Sequence, residues 1–157
     1  MSPRAAWRLE SLGFADVYDF APGKAAWLAA GLPIEGSYAT IPRAGDHVRQ
    51  DVPTCGLDEP IDAVRRRVRA AGWDTCIVIN EQRIVLGRLG RSALTHDDER
   101  TVEEAMTAGP STIRPDTPLA TITQRLRDKN LTSALVTTLE GELVGILRLE
   151  DAANQIL

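Results

Sequence analysis

Gly145-Ile146-Leu147-Arg148-Leu149-Glu150-Asp151 decides the fold of this chain, because the same pattern has already passed once as Gly87-Arg88-Leu89-Gly90-Arg91-Ser92-Ala93. The interval is 58 residues, and it needs no gap from Thr54 to Leu94. Thr54 returns as Thr112, Asp58 as Asp116, Pro60 as Pro118, Arg67 as Arg125, Val78 as Val136, Gly87 as Gly145 and Leu89 as Leu147. A repeat of this period is a supersecondary unit that cannot bury its apolar face alone and needs its twin.

Working outward, each copy reads as β-α-β-β-α. In the first, a short strand precedes helix-start signals at Asp58 and Pro60, and Ile61, Val64, Val68 and Ala71 follow at helical spacing until Gly72. Cys76-Ile77-Val78-Ile79 and Ile84-Val85-Leu86 are buried strands joined by the polar turn Asn80-Glu81-Gln82, and a second helix begins after them. In the second copy Asp116 and Pro118 open a helix lined by Leu119, Ile122 and Leu126 and stopped at Asn130. Ala134-Leu135-Val136 and Leu143 to Leu147 are its strands, turning at Glu140-Gly141, and a last helix runs from near Glu150 to Leu157. Between the copies, His96-Asp97-Asp98-Glu99 is expected to cap a helix through Met106. The fold class is therefore α/β (α+β): two repeats packed through their sheets about a pseudo-twofold axis, with two equivalent clefts walled by strands of both copies.

Composition narrows the function. The chain has 43% hydrophobic and 25% charged residues, the balance of a globular protein rather than a disordered one. No apolar run approaches the roughly 18–20 residues that cross a bilayer, and a signal-peptide core is lacking, so a cytoplasmic, membrane-free protein is expected. A formal net charge of −4 argues against a nucleic-acid partner. Cys55 and Cys76 lack metal-ligand spacing and read as small buried residues, and His47 and His96 stand apart with no acid/base company. No catalytic residue, metal ligand or catalytic cofactor is expected. Arg65-Arg66-Arg67-Val68-Arg69 reads as the solvated face of an amphipathic helix.

The paired pattern resembles a tandem of CBS domains, a Bateman module, over about residues 42–157. The most specific piece is a glycine, two apolar residues, a Ser/Thr, two variable residues and an aspartate. The second copy keeps the glycine and Asp151 with Arg148 in the hydroxyl position, whereas the first has Ala93 in place of the aspartate. The resemblance implies a ligand-sensing pair that binds an adenine nucleotide or other adenosyl compound, the aspartate holding the ribose. It implies one cleft combining Asp151 and Arg148 with Pro53, Thr54, Asp74, Thr75 and Cys76, and a degenerate one combining Ala93 with Ser111, Thr112, Thr132, Ser133 and Ala134. Arg148 would supply a charge-assisted donor to phosphate. Because Asp74 and Glu150 are acidic, a neutral or singly charged adenosyl compound is expected to fit more easily than ATP. Homodimerisation through the helices is also implied.

Residues 1–40 lie outside the repeat, which divides the chain as 1–40, 41–100 and 101–157. They read as a short αβα extension: a helix from Pro3 to Leu12, a strand at Val17-Tyr18-Asp19-Phe20 and a helix from Gly23 to Ala30. Leu12-Gly13-Phe14-Ala15-Asp16-Val17-Tyr18, then Gly23, Lys24, Trp27 and Gly31-Leu32-Pro33, resemble the closing segment of a rhodanese domain. The nucleophilic cysteine of such domains precedes this segment and is absent, so either the segment is a remnant or the true start lies upstream of Met1. Trp7, Leu9, Leu12, Phe14, Trp27 and Leu28 are expected to pack on the repeats or across a dimer. Three functions stay open: a non-enzymatic sensor, a ligand-free structural or dimerisation module, and the remnant of a rhodanese-CBS fusion.

Overall fold

The computed structural model of the chain describes residues 3–95 and 100–154. Its elements in chain order are α1 (Pro3–Ser11), α2 (Gly23–Ala29), two 3-10 turns (Ser37–Thr40 and Ala44–His47), β1 (Thr54–Cys55), α3 (Ile61–Ala70), β2 (Cys76–Ile79), β3 (Val85–Leu89) and α4 (Arg91–Thr95). Then follow α5 (Val102–Ala105), β4 (Thr107–Ala108), β5 (Thr112–Ile113), α6 (Leu119–Asp128), β6 (Ser133–Thr137), β7 (Leu143–Arg148) and α7 (Leu149–Ala153). The helices stop where left-handed residues permit it, at Gly72 (φ 71°) after α3 and at Asn130 (φ 52°) after α6.

Among the described residues the strands form two sheets, β1-β2-β3-β4 and β5-β6-β7. In each, a parallel pair is joined by a crossover helix and the next pair is an antiparallel hairpin. The 58-residue interval recurs in the pairing itself. β3 is edged by β4, with Arg88 opposite Thr107, and β7 is edged by the residue at the equivalent place, with Ile146 opposite Arg49. Pro60 bridges Thr101 as Pro118 bridges Arg43, and 118 − 60 and 101 − 43 are both 58. Ile84 bridges Glu142, its own counterpart, so this contact lies on the pseudo-axis. Each sheet thus takes its outer edge from the segment that precedes the other copy.

This exchange explains the repeated glycines. A Cβ on Gly145 would stand 2.7 Å from the Arg49 carbonyl oxygen, and one on Gly87 would run into Met106 and stand 3.2 Å from the Thr107 carbonyl. The side chain is missing so that the partner's edge segment can cross. The cores are exchanged as well. One gathers Ile61, Val64, Val68, Ile77 and Leu89 with Val102, Leu135 and Ile146, and the other gathers Leu119, Ile122, Leu126 and Leu147 with Ala44 and Val48.

Several expectations change. Val17–Phe20 forms no strand, because no described strand lies beside it to pair with. Trp7, Leu12 and Phe14 are 69%, 58% and 60% exposed and α1 buries nothing, so these residues are not packed on the repeats. The second helix of this segment is held locally: Trp27 meets Phe20 edge-on at 5.3 Å and donates its indole N–H to the Pro33 carbonyl at 2.8 Å. The helix leading into the second copy is capped by Thr101, which forms a reciprocal capping box with Glu104; His96–Glu99 lie outside the described residues, as do residues 155–157. The basic run on α3 is not wholly solvated. Arg65 is only 6% exposed and pairs with Asp62, while Arg67 reaches Glu59 and the Thr54 carbonyl.

Candidate functional site

Thr75, just ahead of β2, and Ser133, which opens β6, are brought together on Arg88, and the ends of β3 and β7 turn nearby into α4 and α7. Between them opens a cleft of about 1010 Å³. Asp74 and Thr75 line it from one copy, and their counterparts Thr132 and Ser133 line it from the other. Two sets of residues expected in separate clefts therefore share one. Arg148 and Glu150 are on the same wall.

Arg88 holds the floor. Its Nε donates to Thr75 Oγ1 at 2.9 Å and its Nη2 donates to Ser133 Oγ at 3.2 Å, so a single guanidinium ties the two copies together. Thr75 Oγ1 donates its own hydrogen bond to the Leu89 carbonyl at 3.0 Å, which leaves its lone pairs for Arg88. Burial lowers the Arg88 pKa from its ordinary value, an expression of the cost of holding a cation there with hydroxyl partners alone. Arg91 pairs with Asp74 at 2.8 Å and holds that carboxyl below its usual range. Arg148 pairs with Glu150 at 3.2 Å and lies 4.1 Å over the Trp73 ring, which Arg49 also approaches at 5.1 Å. Arg127 has no acidic partner among the described residues.

The lining holds four guanidinium groups (Arg88, Arg91, Arg127, Arg148) and two carboxylates (Asp74, Glu150), a balance of 4 − 2 = +2. Both carboxylates are already engaged by arginines. The expected repulsion of a polyphosphate is thereby reversed, because the acids were read without the arginines that the fold brings to them.

Residues 102–157 match the family model described as CBS domain. The solved structures similar to this chain include the cytosolic domain of the Mg2+ channel MgtE in complex with ATP (24% identity, TM-score 0.66, covering 77% of this chain and 52% of that one). Another is CBSX2 from Arabidopsis thaliana (19%, 0.65, covering 74% and 95%). A third is the CBS domain pair of protein MJ0100 with 5′-methylthioadenosine and S-adenosyl-L-methionine (18%, 0.64, covering 74% and 96%). The fold is that of a CBS-domain pair. No curated protein sequence matches the chain. The chain spans about half of the MgtE domain that it matches.

In this fold the other expected site residues are dispersed. Thr54 lines a separate cavity of about 520 Å³ in the first copy. Pro53 is half-buried, its carbonyl accepting from Ile77 N–H at 3.0 Å, and Cys76 is fully buried with its thiol against Cys55. Ser111 is exposed, Thr112 is half-buried on β5, and Ala134 packs against the second core. Asp151, the third residue of α7, does not line the cleft, although its neighbour Glu150 does. Its Oδ2 is buried with no hydrogen-bond partner among the described residues.

Trp73, Arg88, Arg91 and Arg127 were not anticipated. Arg88 and Arg91 stand inside the first copy of the decisive motif, where the search for a hydroxyl and an aspartate passed over them. Among the described residues, no group of three or more His, Cys, Asp or Glu is placed to hold a metal ion, and no helix is long and apolar enough to cross a membrane.

Proposed function

We infer that the chain is a non-enzymatic regulatory module whose inter-repeat cleft binds a phosphorylated adenosine compound. The observation that carries this reading is Arg88, a half-buried cation bonded among the described residues to the hydroxyls of Thr75 and Ser133, in a cleft with a net positive lining. An arginine held this way retains donors for an anion, and phosphate is the group that such a fork suits. Similar CBS-pair structures were solved with ATP, AMP, or methylthioadenosine and adenosylmethionine, which supports an adenosyl ligand for the same fold. The positive lining favours nucleotides over the cationic sulfonium compound. Asp151, which stands beside the cleft next to the lining residue Glu150, is proposed as a ribose contact: its Oδ2 has no hydrogen-bond donor among the described residues, and a ribose hydroxyl would supply one.

Thermal shift tests the reading. A ligand at about 100 times its dissociation constant adds roughly 2.7 kcal/mol, which raises Tm by about 5 °C or more in a chain of this size. ATP and ADP are expected to shift Tm more than AMP, and adenosylmethionine least. Arg88→Met should abolish the phosphate-dependent part, and Asp151→Ala should weaken every adenosyl compound alike. The absence of a shift with all four ligands overturns the reading.

A further inference from the structure

The second cavity belongs to one copy. It lies against β1, β2 and the Gly56–Glu59 loop, and Gly56 puts no side chain into it. The counterpart of Gly56 in the second copy is Arg114, whose guanidinium fills the equivalent place and donates to Thr137 Oγ1, as Thr137 is the counterpart of the cavity residue Ile79. Cys55 forms part of the cavity wall. Its thiol meets that of Cys76 from the neighbouring parallel strand, where the register sets Cys55 opposite Val78 and leaves Cys76 one step back on the same face. Arg67, anchored by Glu59 and by the Thr54 carbonyl at 2.7 Å, sets a positive charge near both sulfurs.

We propose that Cys55 and Cys76 are a dithiol site that a small hydroperoxide, entering by the copy-one cavity, oxidises to a disulfide. Cys55 is the nucleophile because it lines the cavity, whereas Cys76 is fully buried behind it, and the Arg67 charge favours a thiolate there. The Cys55 thiolate attacks the terminal peroxide oxygen, the O–O bond breaks and the alcohol (or water) leaves, giving a sulfenic acid. The Cys76 sulfur then attacks the sulfenic sulfur, its proton leaving with the hydroxyl as water. Two thiols and one hydroperoxide become one disulfide, one alcohol and one water. Diagonal positions on neighbouring strands lie about 7–8 Å apart, just beyond the roughly 6.8 Å that a disulfide spans. Closure therefore shifts β1, which is two residues long and is followed directly by Gly56.

The test is independent of any nucleotide. The native reduced protein is treated with hydrogen peroxide, unfolded, alkylated with N-ethylmaleimide and weighed. The expected result is a loss of about 2 Da with both cysteines unlabelled and full recovery after dithiothreitol. Cys76→Ser should stop at a Cys55 sulfenic acid that dimedone traps, and Cys55→Ser should leave Cys76 fully labelled. Gly56→Arg, which fills the cavity as the second copy does, should slow oxidation at least tenfold. The proposal is overturned if both thiols stay labelled, if oxidation occurs only in urea or between two chains, or if Gly56→Arg reacts as fast as the parent.

Discussion

Gly145 has a sharper role than its place in a motif suggests. Glycine in the middle of a strand ordinarily weakens it, so alanine there should help if space allowed. Here the added methyl would meet the Arg49 carbonyl at 2.7 Å and the Val48 Cβ at 3.0 Å, and backbone cannot swing aside. Gly145→Ala is expected to cost about 1–3 kcal/mol, the usual cost of overpacking, read as a lower urea midpoint at unchanged slope. Gly87→Ala should cost less, because the first atoms that it meets belong to the flexible Met106 thioether. Gly90→Ala, with nothing within 4 Å, is the control and should stay within about 0.5 kcal/mol. Equal effects at all three positions would refute the crossing-segment account.

At the scale of elements, α3 is clipped to β1 by a small polar knot. Arg67 donates to Glu59 at 2.9 Å and to the Thr54 carbonyl, and Glu59 also accepts from the Gly56 N–H at 2.8 Å. Arg67 first, and the Gly56 N–H after it, hold the Glu59 carboxyl below its ordinary value. A depressed carboxylate adds stability that is present above the unfolded pKa, about 4.3 for glutamate, and is lost as pH falls through the folded value. The urea midpoint should therefore hold from pH 8 to 5 and decline below about 4.3. Asp51 and Asp74, lowered by Arg49 and Arg91, act in the same direction. Glu59→Gln should lower stability at pH 7 by roughly 0.2–1 kcal/mol, as half-exposed pairs do, and flatten part of the acid limb. An identical acid limb in that variant would remove Glu59 from the account.

The same scale shows what was legible in the residues alone. β2, α3, β6 and α6 announce themselves because their apolar spacing is dictated by a core that each copy largely carries, and Gly72 and Asn130 mark their ends. β4 and the Arg49 edge do not, since two-residue pairings carry no periodicity and are set by the partner sheet. Val17–Phe20 has a strand-like composition and no neighbour to pair with, so composition alone misleads there. In the cleft, Arg148 was found because it stands in the motif, and Asp74 and Thr75 because the resemblance implied residues at the start of the second strand. The sign of its charge was missed, because Arg88 and Arg91 count only once the fold aims them at Thr75, Ser133 and Asp74. That Asp151 stays out of the cleft lining, its Oδ2 buried instead, depends on how α7 is rotated, which a motif does not specify.

For the whole molecule, the exchanged edges make the two copies one cooperative unit rather than two domains on a string. Residues 101–157 on their own lack the Arg49 segment, which gives and takes hydrogen bonds with Ile146 at 2.8 and 3.0 Å. They also lack the Pro42 carbonyl that receives Leu119 N–H, the Ala44 N–H that donates to Thr117, and Ala44 and Val48 from their core. The first copy correspondingly loses Val102, Leu135, Leu143 and Ile146 from its core. A unit of about 60 residues is already marginal, so losing a sheet edge and part of its core is expected to leave either copy unable to fold alone. Residues 41–100 and 101–157, prepared separately, should each show no cooperative thermal transition by circular dichroism. Mixed at equal concentration they should regain a single transition whose midpoint rises with concentration, as association demands. A cooperative melt of either piece alone would show that the crossing segments trim the sheets without holding the fold, and the cost predicted for Gly145→Ala would have to shrink with it.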